Sequence, residues 1–286
     1  MMNRREFLGA ASAALLLSRV TAFAADEHRL GAIGLQLYTV RDQMEKDFDG
    51  SIAKVAATGY KEVEFAGYFN RTPQQVKAVL ERNHLTSPSA HIPIEMLRAK
   101  LPQVIEAAHI IGHQYIVNPW INQEDRTSLD DWKKLAAFFN ETGRKLKAAG
   151  LQFAHHNHDF EFKPTGGAVP YDLLLKETDP SLVKLEMDLY WITAAGQDPL
   201  KYFNEYPGRY PMLHVKDRPT KLAHPIYVTE DAKFAPVGGG VVDFKRVFAH
   251  ADKGGVKHYY VEQDYTQGSP FDAIKISYDN LRKMQF

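Results

Sequence analysis

The chain has 286 residues, 44% of them hydrophobic and 24% charged, which is enough apolar content for a sizeable core in one or two domains. Its 35 basic and 35 acidic residues leave no excess positive charge for phosphates, which argues against a nucleic-acid or membrane-surface partner. The absence of cysteine excludes a disulfide framework, a thiolate nucleophile and a zinc–thiolate centre.

The first 24 residues read as a targeting segment. Paired arginines in Asn3-Arg4-Arg5-Glu6-Phe7-Leu8 precede a small apolar run from Gly9 to Leu17, and Ala22-Phe23-Ala24 fits a cleavage site before Ala25. The apolar run is too short to cross a bilayer comfortably, so no stable membrane association is expected. The pattern resembles a twin-arginine export signal, which implies a periplasmic protein whose mature chain, residues 25–286, forms one domain.

Beyond the signal, strand and helix patterns alternate. The pattern predicts strands over residues 31–38, 61–65, 86–91, 114–118, 151–157, 183–188, 210–215 and 258–262. It predicts helices over 47–58, from Thr72-Pro73 onward, and over 94–111, 128–149, 171–177, 199–205, 244–251 and 271–284. In the longest helix Leu129, Trp132, Leu135, Ala136, Phe139 and Leu146 recur with a period of 3.6. Gly59, Gly112, Gly150 and Gly255 each stand between a helix and the next strand, where glycine supplies a left-handed cap at no Cβ cost. Eight strand-helix units in this length predict a single (β/α)8 TIM barrel, a fold of about 250 residues. A doubly wound open sheet is the competing architecture, but no G-x-G-x-x-G turn follows the first strand.

In such a barrel chemistry gathers at the C-terminal ends of the strands. Those ends are Gln36, Glu64, His91, Asn118, His156, Asp188, His214 and Glu262, and all are polar. His156, Asp188, His214 and Glu262 offer two imidazoles and two carboxylates to one divalent ion, a set suited to manganese, zinc, cobalt or iron. His155, His158 and Glu161 compete with His156 for the strand-five position. Period-two alternation puts His156 and His158 on one face and His155 and Asn157 on the other, without saying which is interior.

The motifs His156-Asn157-His158-Asp159-Phe160-Glu161-Phe162, Met187-Asp188-Leu189-Tyr190-Trp191, His214-Val215-Lys216-Asp217 and Val261-Glu262-Gln263-Asp264 resemble the xylose isomerase-like TIM barrels, often labelled sugar phosphate isomerases/epimerases. The resemblance covers the mature chain and puts Asp188, His214 and Glu262 on the family's metal-ligand positions. The strand-five position, often glutamate in an epimerase, is His156, which removes one carboxylate of the two-glutamate proton transfer. The apurinic endonucleases of the group use extra histidines where Asn118 and Trp191 stand, so a trinuclear metal cluster is not expected.

Around the metal, Glu64, Asn118, Trp120, Glu161, Trp191 and Arg218 are expected to meet a small carbohydrate, with Lys216 and Arg218 able to hold an oxyanion. The tryptophans fit a sugar platform and ordinary rim packing equally well. Gly238-Gly239-Gly240 reads as a close approach of backbone to substrate or as a hinge. The resemblance implies isomerisation or epimerisation through an enediolate, with Glu262 or His158 as base and Lys216 or His91 as proton donor. A 3-keto-glycoside hydrolase or lyase and a non-catalytic sugar-binding barrel are the alternatives.

Overall fold

The computed structural model describes residues 28–227 and 232–286. The proposed signal segment, residues 1–24, lies outside them. Eight strands close a parallel barrel in sequence order: β1 (Gly34–Gln36), β2 (Glu62–Ala66), β3 (Thr86–His91), β4 (Tyr115–Asn118), β5 (Gln152–His156), β6 (Val183–Asp188), β7 (Met212–Val215) and β8 (His258–Val261). The barrel closes where Gly34 of β1 pairs with Tyr260 of β8.

Alternation along the strands divides two apolar populations. Tyr115, Val117, Ala154, Met212 and Tyr260 fill the barrel interior, and residues such as Leu35, Val63, Phe153, Leu185 and Leu213 pack against the surrounding helices. Gly34 is required on the interior face: a Cβ there would lie 2.5 Å from the Tyr260 ring. The four glycines expected to cap helices all have positive φ, from 78° at Gly150 to 120° at Gly59.

The long helix runs from Leu129 to Ala148, and Ser128 and Asp131 form its capping box. The helix expected over residues 94–111 is instead two, Ile94–Ala99 and Leu101–Ile111. Pro102 has no N–H to give and crowds the preceding turn, so the chain breaks at Lys100 and restarts with proline in the first turn. The first strand is also shorter than expected, because Gln36 caps a 3₁₀ turn at Leu37–Val40 by accepting from the Tyr38 N–H. A helix at Leu189–Ala194, which periodicity missed, starts directly from the end of β6. Among the described residues no helix is long and apolar enough to cross a membrane.

Candidate metal and active site

The interior face of β5 carries His156, and the loop after it carries His158. The opposite face carries His155, whose ring packs 5.1 Å from Phe139 of the long helix. His155 Nε2 is 3.2 Å from Glu161 Oε1, and the other Glu161 oxygen accepts from the His158 N–H at 2.9 Å. Glu161 therefore closes the turn after β5 and is not on the wall of the cavity at the strand ends.

Asn118 and Arg218 also depart from the expectation that they meet substrate. Asn118 is fully buried, with its amide donating to the Trp120 carbonyl at 3.0 Å and lying 3.2 Å from His155 Nδ1. Arg218 bonds the Thr193 hydroxyl at 2.6 Å. Neither borders the cavity. The glycine run wraps a carboxylate: Asp217 accepts from the N–H groups of Gly238, Gly240 and Val242 at 2.9–3.1 Å, and a Cβ at Gly240 would lie 2.2 Å from the Arg218 carbonyl.

The remaining predicted residues converge. Asp188 ends β6 and caps the following helix, with Oδ1 accepting from the Trp191 N–H at 2.9 Å, which leaves Oδ2 for the Lys216 ammonium 3.1 Å away. His214 on β7 places Nδ1 2.9 Å from Glu262 Oε2 and 3.9 Å from Asp188 Oδ2. Its Nε2 faces downward, 2.8 Å from Glu64 Oε2 and 3.2 Å from Glu186 Oε2. His91 and His156 stand beside it, with ring centroids 5.1 and 4.4 Å from that of His214. Glu64 lies beneath this layer, held by Gln36 at 2.8 Å, and does not line the cavity.

Lys216 follows His214 on the same face and is almost fully buried. Its Nζ is 2.6 Å from Glu262 Oε2, 2.8 Å from Asp264 Oδ1 and 3.1 Å from Asp188 Oδ2. Glu186 and Asp264 were missed as site residues, although each lies two positions from a named ligand and so on the same face.

These neighbours set the protonation states. Burial works against the charged ring of His91, but Glu64 and Glu186 outweigh it and raise its pKa to about 9. Burial likewise opposes the charged ring of His214, and Glu186 and Glu262 raise its pKa well above the usual range. Burial, with nearby cations, pushes His156 and His158 well below the usual range, so both rings are neutral. Burial favours neutral Glu262, yet Lys216 and His214 hold it ionised. Burial raises Asp188, and burial moves Asp264 up to about 6 against the pull of Lys216.

The donor set fits a divalent ion. Asp188, His214 and Glu262 present atoms within 4.8 Å of one another, all buried. Three carboxylates, Asp188, Glu262 and Asp264, meet here with Lys216 and the His214 ring as their cationic partners, a concentration of buried acids that a divalent ion in place of the His214 proton would also satisfy.

Above this floor opens a cavity of about 790 Å³. His91, His156, His158, Lys216, Glu262 and Asp264 contribute its polar lining, and Tyr38, Trp120, Trp191, Phe234 and Tyr265 its aromatic walls. Trp120 and Tyr265 are 37% and 69% exposed at the mouth, and the His158 ring meets Trp120 edge-on at 4.7 Å.

A closed parallel barrel with histidines and carboxylates at its strand ends, spaced to hold a metal ion under an aromatic-walled cavity, defines the class as a TIM barrel with a candidate metal site. The chain belongs to the family described as Xylose isomerase-like TIM barrel, which matches residues 52–284. It is 25% identical over 263 residues to an inosose dehydratase of Lacticaseibacillus casei, covering 81% of this chain and 88% of that protein. It is also similar to the crystal structure of a sugar phosphate isomerase/epimerase from Parabacteroides distasonis, with a TM-score of 0.73, 25% identity and coverage of 92% and 96% of the two chains. The fold is shared with the IolI protein, whose structure holds a zinc atom, at a TM-score of 0.70, 13% identity and coverage of 87% and 96%.

Proposed function

We propose that this protein is a divalent-metal-dependent enzyme that removes a proton next to the carbonyl of a small polyhydroxylated substrate. One arrangement carries this assignment: a neutral base, an ionised carboxylate and a lysine ammonium share one cavity floor beside a buried metal-ligand set. Asp188, His214 and Glu262, with His156 adjacent, would hold the ion, of manganese, zinc, cobalt or iron type. When bound, it would supply Lewis-acid polarisation of the substrate carbonyl.

The protein's own groups divide the remaining work. His158 is neutral, borders the cavity and has a buried Nδ1 with no hydrogen bond, so it is the base of choice. Glu262, held ionised by Lys216, serves better as a ligand than as a base. Lys216 keeps its proton and stands where negative charge develops on the enediolate, and His91 can return a proton.

The same first step leads to isomerisation, epimerisation or loss of a β-substituent. With His156 where a two-base epimerase carries a carboxylate, and with a relative named inosose dehydratase, we favour a one-sided outcome, isomerisation or elimination. A cavity of about 790 Å³ with exposed Trp120 and Tyr265 also suits a substrate longer than one sugar ring, such as a 3-keto-glycoside. The twin-arginine pattern at residues 4–5 supports action in the periplasm.

The test is solvent-proton exchange, read by NMR in deuterium oxide, on a panel of ketoses, inososes and 3-keto-glycosides with metal-loaded protein. Deuterium incorporation beside the carbonyl that falls at least about a hundredfold in His158→Ala is the expected result. No exchange with any panel member would overturn the assignment and leave a sugar-binding barrel.

A further inference from the structure

The strand-end ligands are not the only metal-competent set in the barrel. One turn of the pleat deeper, His91 of β3, His156 of β5, Glu186 of β6 and His214 of β7 bring four donor atoms within 4.8 Å of one another, all buried. Three imidazole nitrogens surround a single oxygen, Glu186 Oε2: His91 Nε2 at 2.8 Å, His156 Nδ1 at 3.2 Å and His214 Nε2 at 3.2 Å. Donors bound tetrahedrally to zinc at about 2.0–2.1 Å are separated by about 3.3–3.4 Å, so these spacings need only small adjustment.

Hydrogen bonding alone does not account for the cluster. His156 Nδ1 and Glu186 Oε1 in this layer, and Glu64 Oε1 just beneath it, are buried with no hydrogen-bond partner. Among the described residues no lysine or arginine forms an ion pair with Glu64 or Glu186. At the strand ends, in contrast, Lys216 already neutralises Asp188 and Glu262. An incoming cation therefore meets a resident lysine at the upper set, whereas at the lower one it has only to displace protons from His91 and His214.

We propose that the barrel binds a transition-metal ion, of zinc type, at this deeper position through His91, His156, Glu186 and His214 Nε2. Glu64 stands 2.8 Å from His214 Nε2 and 3.2 Å from His91 Nε2, close enough to add an oxygen or steady the rings. The two sets claim opposite nitrogens of His214. An ion on Nε2 leaves the Nδ1 proton to donate to Glu262, and both sets fill together only if His214 bridges them as an imidazolate. The assignment does not depend on which carbohydrate is turned over.

The test loads metal-free full-length protein with zinc, dialyses it, and measures bound equivalents by elemental analysis and affinity by competition with a chromogenic chelator. Glu186→Gln and His91→Gln should lose the dialysis-resistant equivalent and weaken zinc binding by about a hundredfold or more. Asp188→Asn and Glu262→Gln should retain that equivalent within about threefold of wild-type affinity. Should a variant fail to fold, X-ray absorption on the zinc-loaded wild type decides by ligand count: three imidazoles at the deep position, against at most two at the strand-end set. The reverse pattern among the variants, equal loss in all four, fewer than three imidazoles, or no bound zinc would each overturn the deep position. Deuterium exchange that persists in any of these cases would leave the carbohydrate assignment standing.

Discussion

The ammonium of Lys216 lies 2.6 Å from the carboxylate of Glu262, with Asp188 and Asp264 also within 3.1 Å, so a single side chain ties together three acids at the rim of the barrel floor. Lys216→Met removes that charge and leaves three acids facing one another. Breaking a buried ion pair costs roughly 3–5 kcal/mol, and metal-free Lys216→Met should melt well below wild type. Added manganese should then raise its melting temperature more than it raises that of the wild type. Equal responses to metal in the two proteins, followed by calorimetry, would show that Lys216 does not oppose an ion.

Asp217 organises the segment after β7. It accepts N–H groups from Gly238, Gly240 and Val242, and one from Arg218 at 2.9 Å, so Asp217→Ala should destabilise the protein by roughly 2–4 kcal/mol in urea unfolding. Asp217→Asn keeps one acceptor oxygen and should recover part of the loss. A midpoint for Asp217→Ala within error of wild type would refute this role.

Asp159 gives a pH signature. Burial, reinforced by Glu161, raises its pKa from 3.8 to about 7. A group raised in the folded state contributes stability that is full below its unfolded pKa and lost as the pH rises through its folded value. Asp159→Asn should therefore match wild type near pH 4, gain on it between pH 4 and 7, and hold a constant advantage above pH 7. Melting temperatures across that range check the sign, and a difference independent of pH would contradict it.

Trp120, half-exposed at the mouth and edge-on to His158, is placed to stack on a substrate. Trp120→Ala should weaken carbohydrate binding by about five- to tenfold, on the scale of one aromatic contact. Titration calorimetry against a bound panel member measures this directly. Unchanged affinity would return Trp120 to simple packing.

The sequence carried the barrel because short strand patterns alternate with helical ones along the chain and four glycines punctuate the helix-to-strand joints. The strand-end positions Asp188, His214 and Glu262 were legible for the same reason. The depth of the site was not. Glu186 and Asp264 each sit one pleat from a named ligand, but alternation marks a face and does not say which of two acids on that face meets the centre. Glu161, Asn118 and Arg218 look like substrate contacts in sequence, yet each is occupied by a local partner: His155, the Trp120 carbonyl and Thr193. Such pairings join distant residues, or span an irregular turn, and leave no periodic trace.

The Glu161 link has one more consequence. In a strand, a slip of one residue sends every side chain to the other face. For β5 such a slip would exchange His156 for His155 on the inner face and turn Phe153 in toward the barrel in place of Ala154. Glu161 grips His155 on the outside and the His158 N–H at the turn. It thus pins the end of β5 from outside the cavity.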